Sequence, residues 1–150
     1  MTQRVTQVVT MPNGMPLRVL DHRARGTDFA TWEAEAIRAI SAELISLGMG
    51  SREAVVYDIG AEEGEFSALW GHMVGPGNVH LFEPTPSVWP NIRATWEANH
   101  GAKRPGGMWQ GFVGAGMRGP GVISSQWPAC SDGALQPDSR FSVVTERPDI

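Results

Sequence analysis

Five carboxylates crowd one region of the chain: Asp58, Glu62, Glu63, Glu65 and Glu83. The first four surround a Gly60-x-x-x-Gly64 spacing, and Glu83 lies one helix and one strand further on. Glycines so placed let a backbone turn sharply and pass close to a ligand with no Cβ in the way. An acid at the end of the following strand is positioned to accept from ribose hydroxyls. The chemistry is therefore nucleotide binding, and charge decides which nucleotide. The dinucleotide spacing G-x-G-x-x-G is missing. A pyrophosphate at a helix N-terminus needs bare N–H groups and no competing anions. Carboxylates in the turn would repel it by on the order of 1 kcal/mol per close exposed pair. A ligand with an adenosine, no phosphate, and cationic ammonium and sulfonium groups fits better, and S-adenosylmethionine answers that description. Glu65 also stands where an acid complements a helix dipole.

These residues need a strand, a turn, a helix and a second strand to hold them. Ala54–Ile59 is a short β-branched run suited to a buried parallel strand. Phe66, Leu69, Trp70 and Met73 recur at the spacing of one helical face, and Gly75-Pro76-Gly77 stops that helix. Asn78–Glu83 is the second strand. Pro84-Thr85-Pro86 then turns the chain into a second helix, with Ser87 as N-cap and Pro90 in the first turn, where its missing N–H costs little. Val88 or Trp89, with Ile92 and Trp96, would face the sheet, and Asn99-His100-Gly101 would end the helix. A third strand is expected over Met108–Val113, with Gly114 and Ala115 at its carboxyl end, where a doubly wound sheet places adenine. Ahead of this unit, Arg4–Thr10 and Met15–Leu20 flank the turn signal Pro12-Asn13-Gly14 and predict a hairpin. Arg23 to Gly26 forms a small basic loop. Thr27 or Asp28 would cap a helix whose Phe29, Trp32, Ala36, Ile40, Leu44 and Leu47 make one apolar stripe.

The run Asp58-Ile-Gly-Ala-Glu-Glu-Gly-Glu-Phe-Ser67, followed by Leu81-Phe-Glu-Pro-Thr-Pro86, resembles the FkbM-type methyltransferases, a class I S-adenosylmethionine-dependent family. The first motif of that family usually runs Asp-(Val/Ile)-Gly-Ala-Asn-x-Gly, so Glu62 stands where the family has asparagine. Its second strand ends in Phe-Glu-Pro with a further proline. The resemblance covers residues 54–99. It implies that Asp58, Gly60, Ala61, Glu62 and Gly64 line the methionine end of the cofactor, and that Glu83, with Pro84 beside it, takes the ribose. The acceptor it implies is a hydroxyl on a glycan or small metabolite, methylated on oxygen.

The implied fold is α/β, a Rossmann-like doubly wound sheet of the class I methyltransferase type, preceded by a β-hairpin and a helix. Residues 1–26 would be the hairpin extension and 27–150 the Rossmann-like part of a single domain. A full sheet of that class has seven strands, and this chain supplies fewer. The Asp-x-Glu-Gly run expected on a fourth strand is absent, so the chain is expected to be the amino-terminal part of a longer protein. An open sheet edge would invite pairing with a second copy.

Composition narrows the function classes. A net charge of −4 gives no basic face for nucleic acid. No stretch is apolar and long enough to span a bilayer, and no signal-peptide pattern opens the chain. A single cysteine, Cys130, excludes an intrachain disulfide and fits a reducing compartment, so a cytoplasmic location is expected. No metal-ligand spacing occurs. His22, His72, His80 and His100 are scattered, with no two placed to act together, and His80 is expected as a hydrogen-bonded core residue. Ser124, Ser125 and Cys130 lack the strained elbow of a nucleophile. No general base can be named. Residues 114–140 are rich in Gly, Pro and Ser and suggest a long surface excursion, with a short strand candidate at Phe141–Thr145. Two readings compete with a methyltransferase. One is a nicotinamide-dependent oxidoreductase, opposed by the glycine spacing and the acids. The other is a non-catalytic adenosine-binding or assembly module.

Overall fold

The structure is a computed structural model that describes residues 5–20, 28, 31–47, 54–111 and 113. It is a mixed α/β arrangement: an antiparallel hairpin, and an open three-stranded parallel sheet with two crossover helices. The expected features at Arg4, at His22, in the basic loop Arg23 to Gly26, at Thr27 and Phe29, at Phe112 and from Gly114 onward lie outside the described residues.

The hairpin pairs β1 (Val5–Thr10) with β2 (Pro16–Leu20). Asn13 and Gly14 make the turn as expected. The Asn13 side chain accepts from the Met15 amide at 3.1 Å, and Gly14 takes a φ of 82°, which only glycine adopts cheaply. Met11, Leu17 and Val19 are buried in the same core as the rest of the fold.

The next element is α1 (Ala34–Ser46), which is shorter than expected and rotated in phase. The Asp28 carbonyl accepts from the Thr31 and Trp32 amides, and Glu33 then takes a left-handed φ of 47°. That break separates Trp32 from the helix, so a stripe counted through it loses register. The buried face is Ile37, Ser41 and Leu44. Ala36 is exposed, as are Ile40 at 42% and Leu47 at 60%, against expectation. Ser41 faces inward because it has partners: it accepts from the Asn13 amide at 2.8 Å and lies against the Met73 sulfur.

The parallel sheet runs β3 (Val56–Ile59), β4 (Val79–Phe82), β5 (Gly107–Trp109), in that spatial order. The crossovers are α2 (Glu65–Val74) and α3 (Trp89–His100). Glycine 75, at φ 91°, ends α2, and Gly101 follows α3. A short 3-10 turn, Pro86–Val88, precedes α3 and replaces the expected Ser87 cap, leaving Pro90 in the first helical turn. Trp89, Ile92, Thr95 and Trp96 are buried, and α3 packs on α2 and on β2 more than on the sheet. α2 is buried almost all round, because β2, β3, β4, α1 and α3 all pack on it. The expected stripe of Leu69, Trp70 and Met73 is in the core, with Phe66 at its margin.

One face of the sheet carries the core, through Val79, Leu81 and Met108. On the other face the described residues leave Tyr57 and Ile59 each 62% exposed, so β3 is not the fully buried strand its composition suggests. His80 lies on that second face too, partly buried and stacked on Tyr57 at 5.2 Å, rather than in the core. The third strand stops at Trp109, short of the expected Val113.

Candidate functional site

Gly60 to Gly64 links the carboxyl end of β3 to α2, and Glu83 follows the carboxyl end of β4 beside it. The turn alternates in handedness, with positive φ at Gly60 (82°), Glu62 (51°) and Gly64 (86°). Space does not demand glycine at 60, since a Cβ there would meet nothing within 4 Å; the backbone conformation demands it. At Gly64 the Cβ would point at α3, 3.4 Å from Ile92 Cα and 3.5 Å from its carbonyl oxygen. Those are ordinary contact distances, so at 64 too it is the φ of 86° that asks for glycine. Glu62 adopts the left-handed region without being glycine, at a cost of about 1–2 kcal/mol.

That cost is met by hydrogen bonds to the end of β4. The Phe82 carbonyl accepts from both the Gly60 and Ala61 amides, at 2.8 and 3.0 Å. Glu83 continues the fastening with its side chain. One carboxylate oxygen accepts from the Glu62 amide at 3.0 Å, and the other from the Thr85 amide at 2.7 Å. Its own amide donates to the Trp109 carbonyl, and its carbonyl accepts from the Trp89 indole at 3.1 Å. Glu83 is 6% exposed, and this set of bonds explains how a carboxylate is held there. Each carboxylate oxygen keeps a second lone-pair direction, so bonding to ribose hydroxyls is compatible with the clamp. Pro84 is partly buried next to it.

Asp58 sits one residue before the end of β3, on the face covered by α2. It is partly buried, and its carboxylate accepts a short hydrogen bond from the Ser67 hydroxyl. Burial pushes the Asp58 carboxyl above its ordinary range; the Ser67 hydroxyl and amide oppose that shift, and the charge of Glu83 adds to it. Nearby, Glu63 accepts from the Asn91 side chain at 3.3 Å, joining the turn to α3. Glu65 is buried in the first turn of α2, where its charge complements the helix dipole.

The fold thus brings Asp58, Gly60, Ala61, Glu62, Gly64, Glu83 and Pro84 to one end of the sheet. Three residues acting on that group were given no part in the site by the sequence: Ser67, Thr85 and Trp89. The sequence carried no local signal for Ser67, which lies off the face of Phe66, Leu69, Trp70 and Met73 expected to pack inward. The fold also joins two histidines that sequence spacing left apart. Both crossover helices begin at the carboxyl edge of the sheet and run back, so residues of their last turns meet. The rings of His72 and His100 lie 4.5 Å apart, at the end of α2 remote from the turn. His100 Nε2 bonds the Ala68 carbonyl at 2.9 Å, and burial lowers the histidine pKa from 6.5 to about 4.

Among the described residues no group of three or more His, Cys, Asp or Glu is placed to hold a metal ion. No helix among them is long and apolar enough to cross a membrane. The chain matches no known family model, no curated protein and no solved structure.

Proposed function

We propose that the chain is an S-adenosylmethionine-dependent methyltransferase of FkbM type, or the cofactor-binding part of one, and that it acts on a hydroxyl of a glycan or small metabolite. One observation carries the choice of cofactor. The first three amides of the turn, at Gly60, Ala61 and Glu62, all point at oxygens of Phe82 and Glu83. A pyrophosphate would need such amides, and would meet the Asp58 carboxylate beside the turn. A ligand with a ribose diol and a cationic amino-acid end needs the opposite, carboxylates at the strand ends. In this reading Glu83 takes the ribose hydroxyls, while Asp58 and the backbone of Gly60 to Gly64 lie against the methionyl part.

In class I chemistry the bound cofactor supplies an electrophilic methyl group, and the protein has to position an acceptor oxygen in line with it. This chain's part, so far as its described residues go, is to bind and orient the cofactor. The resemblance to FkbM-type enzymes, carried by residues 54–99, supports the acceptor class. Calorimetry with S-adenosylmethionine, its demethylated product and the oxidised nicotinamide dinucleotide tests the reading. Binding of the first two, with none of the third, is the expected result. Nicotinamide binding without any binding of the methyl donor would sink it.

A further inference from the structure

We propose that Ser67 is a positioning residue of this site: its buried hydroxyl holds the Asp58 carboxylate, as an anion, between the end of β3 and the first turn of α2, where it attracts the cationic end of the ligand. The inference rests on the functional reading above for the identity of the ligand, and on the Ser67–Asp58 pair alone for the rest.

Ser67 is the third residue of α2 and 0% exposed. Nothing about the helix asks for serine there. Alanine is the better helix former and buries no polar group. A buried hydroxyl weakens a core unless it is bonded. Here the hydroxyl reaches out of the helix to Asp58 on β3. The fold therefore tolerates a costlier residue at a position whose partner is a carboxylate beside the glycine turn.

The groups acting on Asp58 come from two elements. From α2 the Ser67 hydroxyl and amide favour the anion; from the end of β4 the Glu83 charge disfavours it, as does burial. Two carboxylates at adjacent strand ends repel one another, and desolvation acts the same way. Without the Ser67 hydroxyl, Asp58 takes up a proton at higher pH. Once neutral, it no longer attracts an ammonium or sulfonium group.

The test uses the full chain with Ser67→Ala, Ser67→Cys and Asp58→Asn. In the ligand-free protein, the Asp58 carboxyl carbon is titrated by NMR. Its midpoint in Ser67→Ala should lie about one pH unit above the parent, with the weaker thiol donor of Ser67→Cys in between. In parallel, the Kd for S-adenosylmethionine is measured across pH. The acid-side weakening should move up with the Asp58 midpoint in Ser67→Ala and vanish in Asp58→Asn, which binds weakly throughout. An Asp58 midpoint that stays put in Ser67→Ala overturns the proposal whatever binds. A midpoint that moves while the pH profile of binding does not also overturns it, because Ser67 would then be structural only. Failure of the parent to bind the methyl donor at any pH, with the midpoint still displaced, would instead refute the functional reading and leave the pair intact.

Discussion

Replacing Glu83 by glutamine tests its structural role apart from the ribose contact proposed for it, because the structure assigns it work even without ligand. The carboxylate accepts from the Glu62 amide at 3.0 Å and from the Thr85 amide at 2.7 Å. Hydrogen bonds to a charged group contribute about 1.5–3 kcal/mol each, so Glu83→Ala would remove a large part of a total stability of roughly 5–15 kcal/mol. Glutamine keeps the volume but offers one oxygen. Its amide nitrogen must then face the Glu62 or the Thr85 N–H, donor against donor. One charged bond is lost, the other becomes neutral, and the expected destabilisation is about 2–3 kcal/mol. At roughly 2–4 °C per kcal/mol for a chain of this size, the ligand-free melt should fall by about 5–10 °C. Urea unfolding without ligand should show the loss in the midpoint with an unchanged slope. A glutamine variant within about 0.5 kcal/mol of the parent would refute the clamp, since that is the ordinary range of surface substitutions. Binding is then compared where both proteins are folded. A further loss of affinity of about tenfold or more assigns Glu83 to the ribose as well.

Two further predictions concern the far end of α2. The folded-state pKa of His100 is lowered from 6.5 to about 4, so the unfolded chain takes the proton first as pH falls. The histidine's contribution is present above pH 6.5 and is lost between there and about 4; partial exposure and screening reduce a nominal ~3.4 kcal/mol to roughly 1–2 kcal/mol. Urea midpoints across that window in an Asp58→Asn background should fall on acidification. The background removes the opposite trend from the raised Asp58 carboxyl, and His100→Gln should flatten the fall. Gly71→Ala should gain about 1 kcal/mol of helix propensity yet lose about 1–2 kcal/mol net. The reason is that its Cβ would lie 2.5 Å from His100 Nε2. In a His100→Ala background most of that loss should disappear, leaving only the 3.3 Å approach to Trp96, and an undiminished loss there would refute the steric account.

The sequence revealed most where one residue type answers one local demand. Gly60 and Gly64 could be placed because positive φ needs glycine, and the strand–turn–helix–strand order followed from apolar runs separated by such breaks. Asn13-Gly14 gave the hairpin for the same reason. What depended on tertiary company was hidden. The phase of α1 was lost at Glu33, a left-handed residue with no glycine to announce it. His80 looked like a core residue because β4 is apolar on average, but alternation puts Val79 and Leu81 on the helix side and His80 with Phe82 on the other. The His72–His100 contact depends on how far two helices run back along the sheet, and no local spacing encodes that.

The same distinction bears on which site residues point to function. Glu83 and the glycines of the turn are needed by the fold itself. Glu83 fastens Glu62 and Thr85, while Gly60 and Gly64 supply the positive φ of the turn. Asp58 and Ser67 are different. The Asp58 carboxylate accepts from the Ser67 hydroxyl and amide at the start of α2, which also satisfies the helix end, while burial and the neighbouring Glu83 charge resist its ionisation. In the proposed reading, that pair is what presents an anion beside the glycine turn to the cationic end of the ligand.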